Sequence, residues 1–552
     1  MTDVRSALLA SLTASLLCAS SALFAADPGA EIALRGASHP GAVACTSCHG
    51  SDGGGNAESG FPRLAGLNAT YLERQLHAYQ QGSNKNPVMA EMAGSLTNQE
   101  ISEVSAYYAG LQPVSHAKAP ADVAVATGEQ LARYGDMPAR GLPPCVQCHG
   151  PGGLGVGSVF PPLAGQPYQY IVDQINAWQS GLRSGDPLGL MKQVASLLTA
   201  EEVRSVAAYY AAQPVQGEGG NGTIAAREAT GTKPERAEQA TPPHQMAPQH
   251  QSTLPHLGAV EPGREVGPEG YFEPPPHGGY PDGPFGEKVR LGEAIFVATN
   301  TNPESGKYVG NEQVCQGCHL DAGRLANAAP MWASWVAYPA FRKKTKSVNT
   351  QIERIQGCFK YSMNAQGSAV GHEPDADSDT IIALMSYMYW VATGAPTGDT
   401  HMAGRGYSKL PETSEGFSPA RGKKVYERQC AVCHGEDGAG QFSQGEVVFP
   451  PLWGANSYNW GAGMHKINTA AEYIRLNMPL GLASAAENRA WLSDQDAWDV
   501  AAYMNSHERP QDPRYTGNLA ETAKEFHSSK YDYYGKLKKP DGKLLGDGAP
   551  VR

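Results

Sequence analysis

The 552-residue sequence is poor in charge, and the charge it has leans acidic: 18% of residues are Asp, Glu, Lys or Arg, and the formal net charge is −11. A nucleic-acid binder would need a basic face, so that class is set aside. Beyond the first 26 residues no stretch approaches the ~18 unbroken apolar residues of a membrane helix, so the mature chain is expected to span no membrane. Cysteine is scarce too, and ten in 552 residues cannot make a disulfide scaffold. Gly and Pro are plentiful, at 64 and 41 residues, which describes loop-rich globular domains rather than coiled coil or collagen. The length allows about three or four domains.

Residues 1–26 read as an export signal. Arg5 is a weak basic start, Ala7 to Ala19 an apolar and small-residue run, and Ala22 to Ala26 a small-residue cleavage region. Cys18 follows Leu17, where lipid attachment would want a small residue, so it is expected to leave with the signal. The expected location is periplasmic.

Eight of the nine remaining cysteines fall in four Cys-x-x-Cys-His motifs: Cys45/Cys48/His49, Cys145/Cys148/His149, Cys315/Cys318/His319 and Cys430/Cys433/His434. This spacing is the attachment signature of c-type haem: two thiols add to the vinyl groups and the next histidine becomes the proximal iron ligand. One such motif could be a zinc half-site or a redox dithiol. Four in an exported chain predict four covalent haems.

A second axial ligand is expected further along each unit. The first two motifs are 100 residues apart in an internal repeat: Phe61-Pro62 and Leu64-Ala65-Gly66 return as Phe160-Pro161 and Leu163-Ala164-Gly165, and Tyr107-Tyr108 as Tyr209-Tyr210. Thr97 with Glu100 and Thr199 with Glu202 form capping boxes before the tyrosine helices. Met89 and Met191 hold matching places, 44 and 46 residues after their first cysteines, with Met92 the competitor for the first haem. Met478 lies 48 residues after Cys430, with Met464 its competitor at 34; Ser493 and Asp496 are placed to cap the helix of Trp498 and Tyr503.

The third motif departs from this pattern. Its window holds Cys358 and Met363, 43 and 48 residues after Cys315, and spacing alone does not choose between them. The surroundings favour Cys358. Between Arg342 and Lys360 lie Arg342, Lys343, Lys344, Lys346, Arg354 and Lys360 against Glu353 alone. Such a cluster lowers a thiol pKa and attracts anions, although a basic docking surface would look the same.

The expected fold is mainly α: four haem domains in two pairs joined by a long Gly/Pro-rich linker. The domains run 27–116, 117–215, 285–400 and 401–512, with a linker at 216–284 and a tail at 513–552 that wraps the surface. His244, His250 and His256 read as solvated linker residues rather than a metal site.

Two resemblances then cover nearly the whole mature chain. Residues 27–215 resemble the dihaem cytochrome c4 family, electron carriers of two class I cytochrome c domains. Residues 270–512 resemble the thiosulfate dehydrogenases, dihaem enzymes that couple two thiosulfates into tetrathionate. The matching segments are Cys315-Gln316-Gly317-Cys318-His319-Leu320-Asp321-Ala322-Gly323, Val348-Asn349-Thr350, Arg354-Ile355-Gln356-Gly357-Cys358-Phe359, Ser362-Met363-Asn364, Pro451-Leu452-Trp453-Gly454, Gly461-Ala462-Gly463-Met464 and Trp498-Asp499-Val500-Ala501-Ala502. The resemblance implies that Cys358 is the distal ligand of the active-site haem, and that Arg354, the Arg342–Lys346 run with Arg342 and Lys344, and Ser362 line the site. Some members carry a lysine before the methionine of the second enzyme haem. Here that position is Asn477, which does not fit a lysine-to-methionine ligand switch.

The residues agree with that chemistry. Bringing two dianions together demands positive charge. The partners implied are thiosulfate, tetrathionate and an external electron acceptor, such as a small redox protein or a terminal oxidase. A firmly bound thiolate would make a poor first acceptor, so Cys358 is expected to leave the iron during turnover. The rival readings are a tetrahaem wire without a substrate and a related enzyme acting on carrier-bound sulfur.

Overall fold

The computed structural model describes residues 27–37, 43–215 and 270–551. The export signal with Cys18, most of the linker, and His244, His250 and His256 lie outside the described residues. Among those described, strands are confined to two short antiparallel ribbons, Ala340–Arg342 with Ser347–Asn349 and Gln441–Ser443 with Glu446–Phe449. Everything else is helix and loop. No helix of the described residues is long and apolar enough to cross a membrane.

One packing event recurs in every haem-motif unit: a helix ahead of the motif crosses the unit's last long helix. The pairs are Pro28–Arg35 on Asn98–Gly110, Ala126–Tyr134 on Ala200–Ala211, Gly283–Val297 on Asp379–Val391, and Pro419–Gln429 on Asp494–Asn505. Each crossing is made at a glycine. A Cβ on Gly29, Gly128, Gly292 or Gly422 would sit 2.2, 2.1, 2.1 or 1.9 Å from the carbonyl oxygen of Glu103, Ser205, Ala383 or Asp499, closer than any side chain permits. The missing side chain lets the backbones touch, and the apolar faces bury one core per unit. The long helices of the first two units open with the expected capping boxes, Thr97 with Glu100 and Thr199 with Glu202, and Ser493 caps the last one through the Asp496 N–H at 3.0 Å.

The first two units face each other across a reciprocal pair of hydrogen bonds. The Arg63 N–H donates to Gln166 Oε1, and Gln166 Nε2 donates to the Arg63 carbonyl, both at 3.1 Å. The second unit meets the fourth through Val156, Phe160, Leu190, Phe449 and Leu482, with the Phe160 and Phe449 rings 5.1 Å apart. The Ser443 hydroxyl donates to the Gly155 carbonyl across that seam. The tail is built into the protein: helix Leu519–Phe526, Tyr534 and Leu545 form a buried cluster with Trp460.

Candidate active site

All four motif histidines are held alike. His49, His149, His319 and His434 each donate Nδ1–H to a backbone carbonyl, those of Pro62, Pro161, Ala329 and Pro450, at 2.9, 2.8, 2.7 and 2.9 Å. That bond fixes the tautomer and leaves Nε2 as a lone pair for a metal. Burial lowers all four below the ordinary imidazole range, His319 to about 4, so each ring is neutral. No disulfide joins any of the eight motif cysteines.

Residues of three of the four motifs border two cavities. One of about 630 Å³ is lined by Cys148, Cys318, Cys430, Cys433 and His434, and one of about 430 Å³ by Cys315, Cys318, His319 and Cys358. Several buried polar atoms have no partner in the chain, among them the Tyr108 and Tyr210 hydroxyls, Arg324 Nη1, and Arg509 Nε and Nη1. Paired cysteines, a free ring nitrogen and a largely apolar cavity fit a flat apolar prosthetic group such as haem c.

The distal candidates are placed as follows. Met89 and Met92 share helix Pro87–Gly94, and Met191, in helix Leu190–Ser196, packs on the second core. Met478 and Met464 both border the larger cavity, and Met464 reaches the smaller one as well. Cys358 and Met363 border the smaller cavity together. Asn477 is turned away, its Nδ2 donating to the carbonyls of Asn327 and Tyr473.

Cys358 is positioned by helix Gln351–Tyr361, which opens with a third capping box: Thr350 Oγ1 accepts from the Glu353 N–H at 3.2 Å, and Glu353 accepts from the Thr350 N–H at 2.6 Å. Ile355 and Phe359 bury the inner face, and Arg354 and Cys358, four residues apart, share the face turned to the cavity. Arg354 Nη1 lies 3.3 Å from Cys358 Sγ, and the charge of that sulfur raises the guanidinium pKa against its burial.

The remaining cations divide. Arg342 and Ser362 line the cavity, Arg342 on the ribbon with its guanidinium 5.8 Å from the Tyr338 ring. Lys344 stands outside that lining. The residue is exposed, yet its ammonium donates to the Gly461 carbonyl at 2.5 Å and sits 3.2 Å from the Tyr361 ring centre. Burial of that ammonium, with Arg514 and Arg354 nearby, pulls its pKa well below the ordinary lysine range. Arg405 and Thr400, which sequence reasoning missed, complete the wall, Arg405 donating to the Thr400 carbonyl. They lie in the connection between units, where no periodicity announces an approach to Cys358. Phe341 also reaches the cavity and, like its ribbon partner Val348, is 64% exposed.

Fold and site together define a c-type cytochrome with a cysteine set beside an arginine in a basic pocket. The cytochrome c family model matches residues 33–112 and 419–508. The thiosulfate dehydrogenase of Stutzerimonas stutzeri (strain A1501) is 51% identical over 282 residues, covering 51% of this chain and 86% of that protein. The thiosulfate dehydrogenase electron acceptor of Thiomonas intermedia (strain K12) is 46% identical over 195 residues, covering 35% of this chain and 88% of its own length. The solved structure of a thiosulfate dehydrogenase from Marichromatium purpuratum in its as-isolated form superposes with a TM-score of 0.82 at 48% identity, covering 95% of this chain and 99% of that one. The chain belongs to the thiosulfate dehydrogenase family, as an enzyme portion joined to a cytochrome c4-like electron-acceptor portion of class I cytochrome c fold. It is a thiosulfate dehydrogenase that carries covalent haem c.

Proposed function

We propose that the Cys358 cavity joins two thiosulfate dianions through their terminal sulfurs, forming one S–S bond and releasing tetrathionate and two electrons. No proton is gained or lost in that balance, so the work of the site is electrostatic. The observation that carries this reading is the Arg354 guanidinium fixed 3.3 Å from Cys358 Sγ in a pocket that Arg342 and Arg405 also border. Like charges at close range repel strongly where water is thin, and fixed guanidiniums offset that repulsion as the two sulfurs approach.

Four c haems would be held through Cys45, Cys48, Cys145, Cys148, Cys315, Cys318, Cys430 and Cys433, with His49, His149, His319 and His434 and, beside them, Met89, Met191, Cys358 and Met478 as the residues that would ligate the irons. When bound, they supply one-electron acceptors that store the pair and pass it to an external redox protein or oxidase in the periplasm. Asn311 steadies the loop beyond Cys358 by donating to the Ser362 carbonyl at 2.7 Å, and Thr350 fixes the helix start, so Arg354 and the sulfur keep their relative position.

The reading is tested with purified holoprotein and free thiosulfate, following haem reduction in the visible spectrum and measuring tetrathionate. One tetrathionate for two thiosulfates supports it. Reduction without tetrathionate would favour a simple electron carrier, and activity only on protein-bound sulfur would favour the carrier-linked alternative.

A further inference from the structure

The tail encloses a group of side chains for which thiosulfate oxidation has no use. His465 ends the short turn Gly463–His465, His527 follows helix Leu519–Phe526, and Asp532 comes five residues later. They are 3%, 0% and 1% exposed. Asp532 Oδ2 lies 2.8 Å from His465 Nε2 and 2.8 Å from His527 Nδ1. The other ring nitrogens are committed. His465 Nδ1–H donates to the Ala462 carbonyl, and His527 Nε2–H donates to Asp512 Oδ2 at 2.9 Å. Arg514 holds Asp512 through Nε and Nη2 at 2.9 and 2.6 Å, and Asp532 Oδ1 accepts from the Tyr534 N–H at 3.1 Å.

Counting protons exposes a deficit. A neutral imidazole has one N–H, and both rings have directed theirs outward. Two ring lone pairs and one carboxylate oxygen then converge within 4.8 Å of one another, acceptor against acceptor in a buried place. Two further protons or one dication repair the count. Two protons would make neighbouring imidazolium rings with centroids 5.0 Å apart, a like-charge pair away from water. A carbonyl or carboxylate on the outer ring nitrogen is the arrangement that orients metal-bound histidines.

We propose that His465 Nε2, His527 Nδ1 and Asp532 Oδ2 bind a divalent transition-metal ion, zinc by this two-nitrogen, one-oxygen donor set. Water fills the fourth position. Bonds of about 2.0–2.2 Å would widen the two 2.8 Å nitrogen–oxygen separations by roughly half an ångström. The ion fastens the tail to the segment that walls the active site, since Ala462 and Met464 line the Cys358 cavity and Gly461 carries Lys344.

The test is metal analysis of the haem-loaded full-length protein, first after gel filtration and again after dialysis against zinc sulfate. One zinc per chain is expected beside the haem iron, lost in Asp532→Asn with the iron unchanged. X-ray absorption at the zinc edge should show imidazole and oxygen without sulfur. A native protein that neither carries nor takes up zinc overturns the site and leaves a proton-bridged triad. Zinc retained by Asp532→Asn, or sulfur ligation, overturns it by placing the ion elsewhere, such as at the linker histidines or a motif thiol. If Asp532→Asn does not fold, the zinc content and edge spectrum of the native protein decide.

Discussion

Arg354 and Cys358 owe their pairing to a four-residue helical spacing, and that spacing places a guanidinium beside the sulfur. Replacing Arg354 by Gln keeps a polar side chain but removes the charge. A hydrogen bond to a charged group contributes about 1.5–3 kcal/mol, so kcat/KM for thiosulfate should fall by roughly 10- to 100-fold in steady-state assays. Lys344 acts from further back. Its ammonium loses its proton below the ordinary lysine value of 10.5, so raising the pH removes positive charge from beside the site, and the KM for thiosulfate should rise through that window. Lys344→Met should show a raised KM that no longer changes over the same range, and parallel profiles for the two proteins would remove Lys344 from substrate binding. At this scale the sequence was unusually legible. The motif cysteines and histidines are read directly from their spacing; Cys358 and Met363 border one cavity, and Arg354 stands beside the cysteine sulfur. Arg405 was not legible, because it reaches the cavity through tertiary packing from 47 residues beyond Cys358.

The helix crossings carry the architecture, and each depends on an absent Cβ. Gly422→Ala would put a methyl group 1.9 Å from the Asp499 carbonyl oxygen, backbone that cannot turn aside. Overpacking of this kind costs about 1–3 kcal/mol or more, so the variant should lose thermal stability, read as an earlier loss of helical circular dichroism. A variant melting with the native protein would show that the crossing is slack. The motif spacing foretold the units, and two of their capping boxes were readable from Thr and Glu alone. The box at Thr350 and Glu353 has the same signature. The buried tail is harder to foresee. Its Lys- and Tyr-rich sequence reads as surface, and only the fold brings Tyr534 and His527 against Trp460 and His465.

Across the whole molecule, two portions that the sequence separates by a long linker meet directly. Phe160 packs on Phe449, Ser443 bonds to Gly155, and Cys148 and Cys433 border one cavity. Tyr134 of the second unit stacks on His277, which lies just ahead of the enzyme portion's first helix, with ring centres 4.6 Å apart. That seam makes the acceptor portion a fixed neighbour of the enzyme portion. Neither partner of such a contact carries a local signature, so the seam had to be seen. The four matching sites predict an intact mass exceeding the processed polypeptide by four haem units, and a gain of three or fewer would remove a motif from the set. The central claim, that thiosulfate is coupled at Cys358, is tested most directly by turnover of the complete holoprotein beside its Cys358→Met variant, with tetrathionate measured as product. The account predicts that the variant keeps its covalent haems and loses nearly all tetrathionate formation. Near-native tetrathionate formation by Cys358→Met would contradict it.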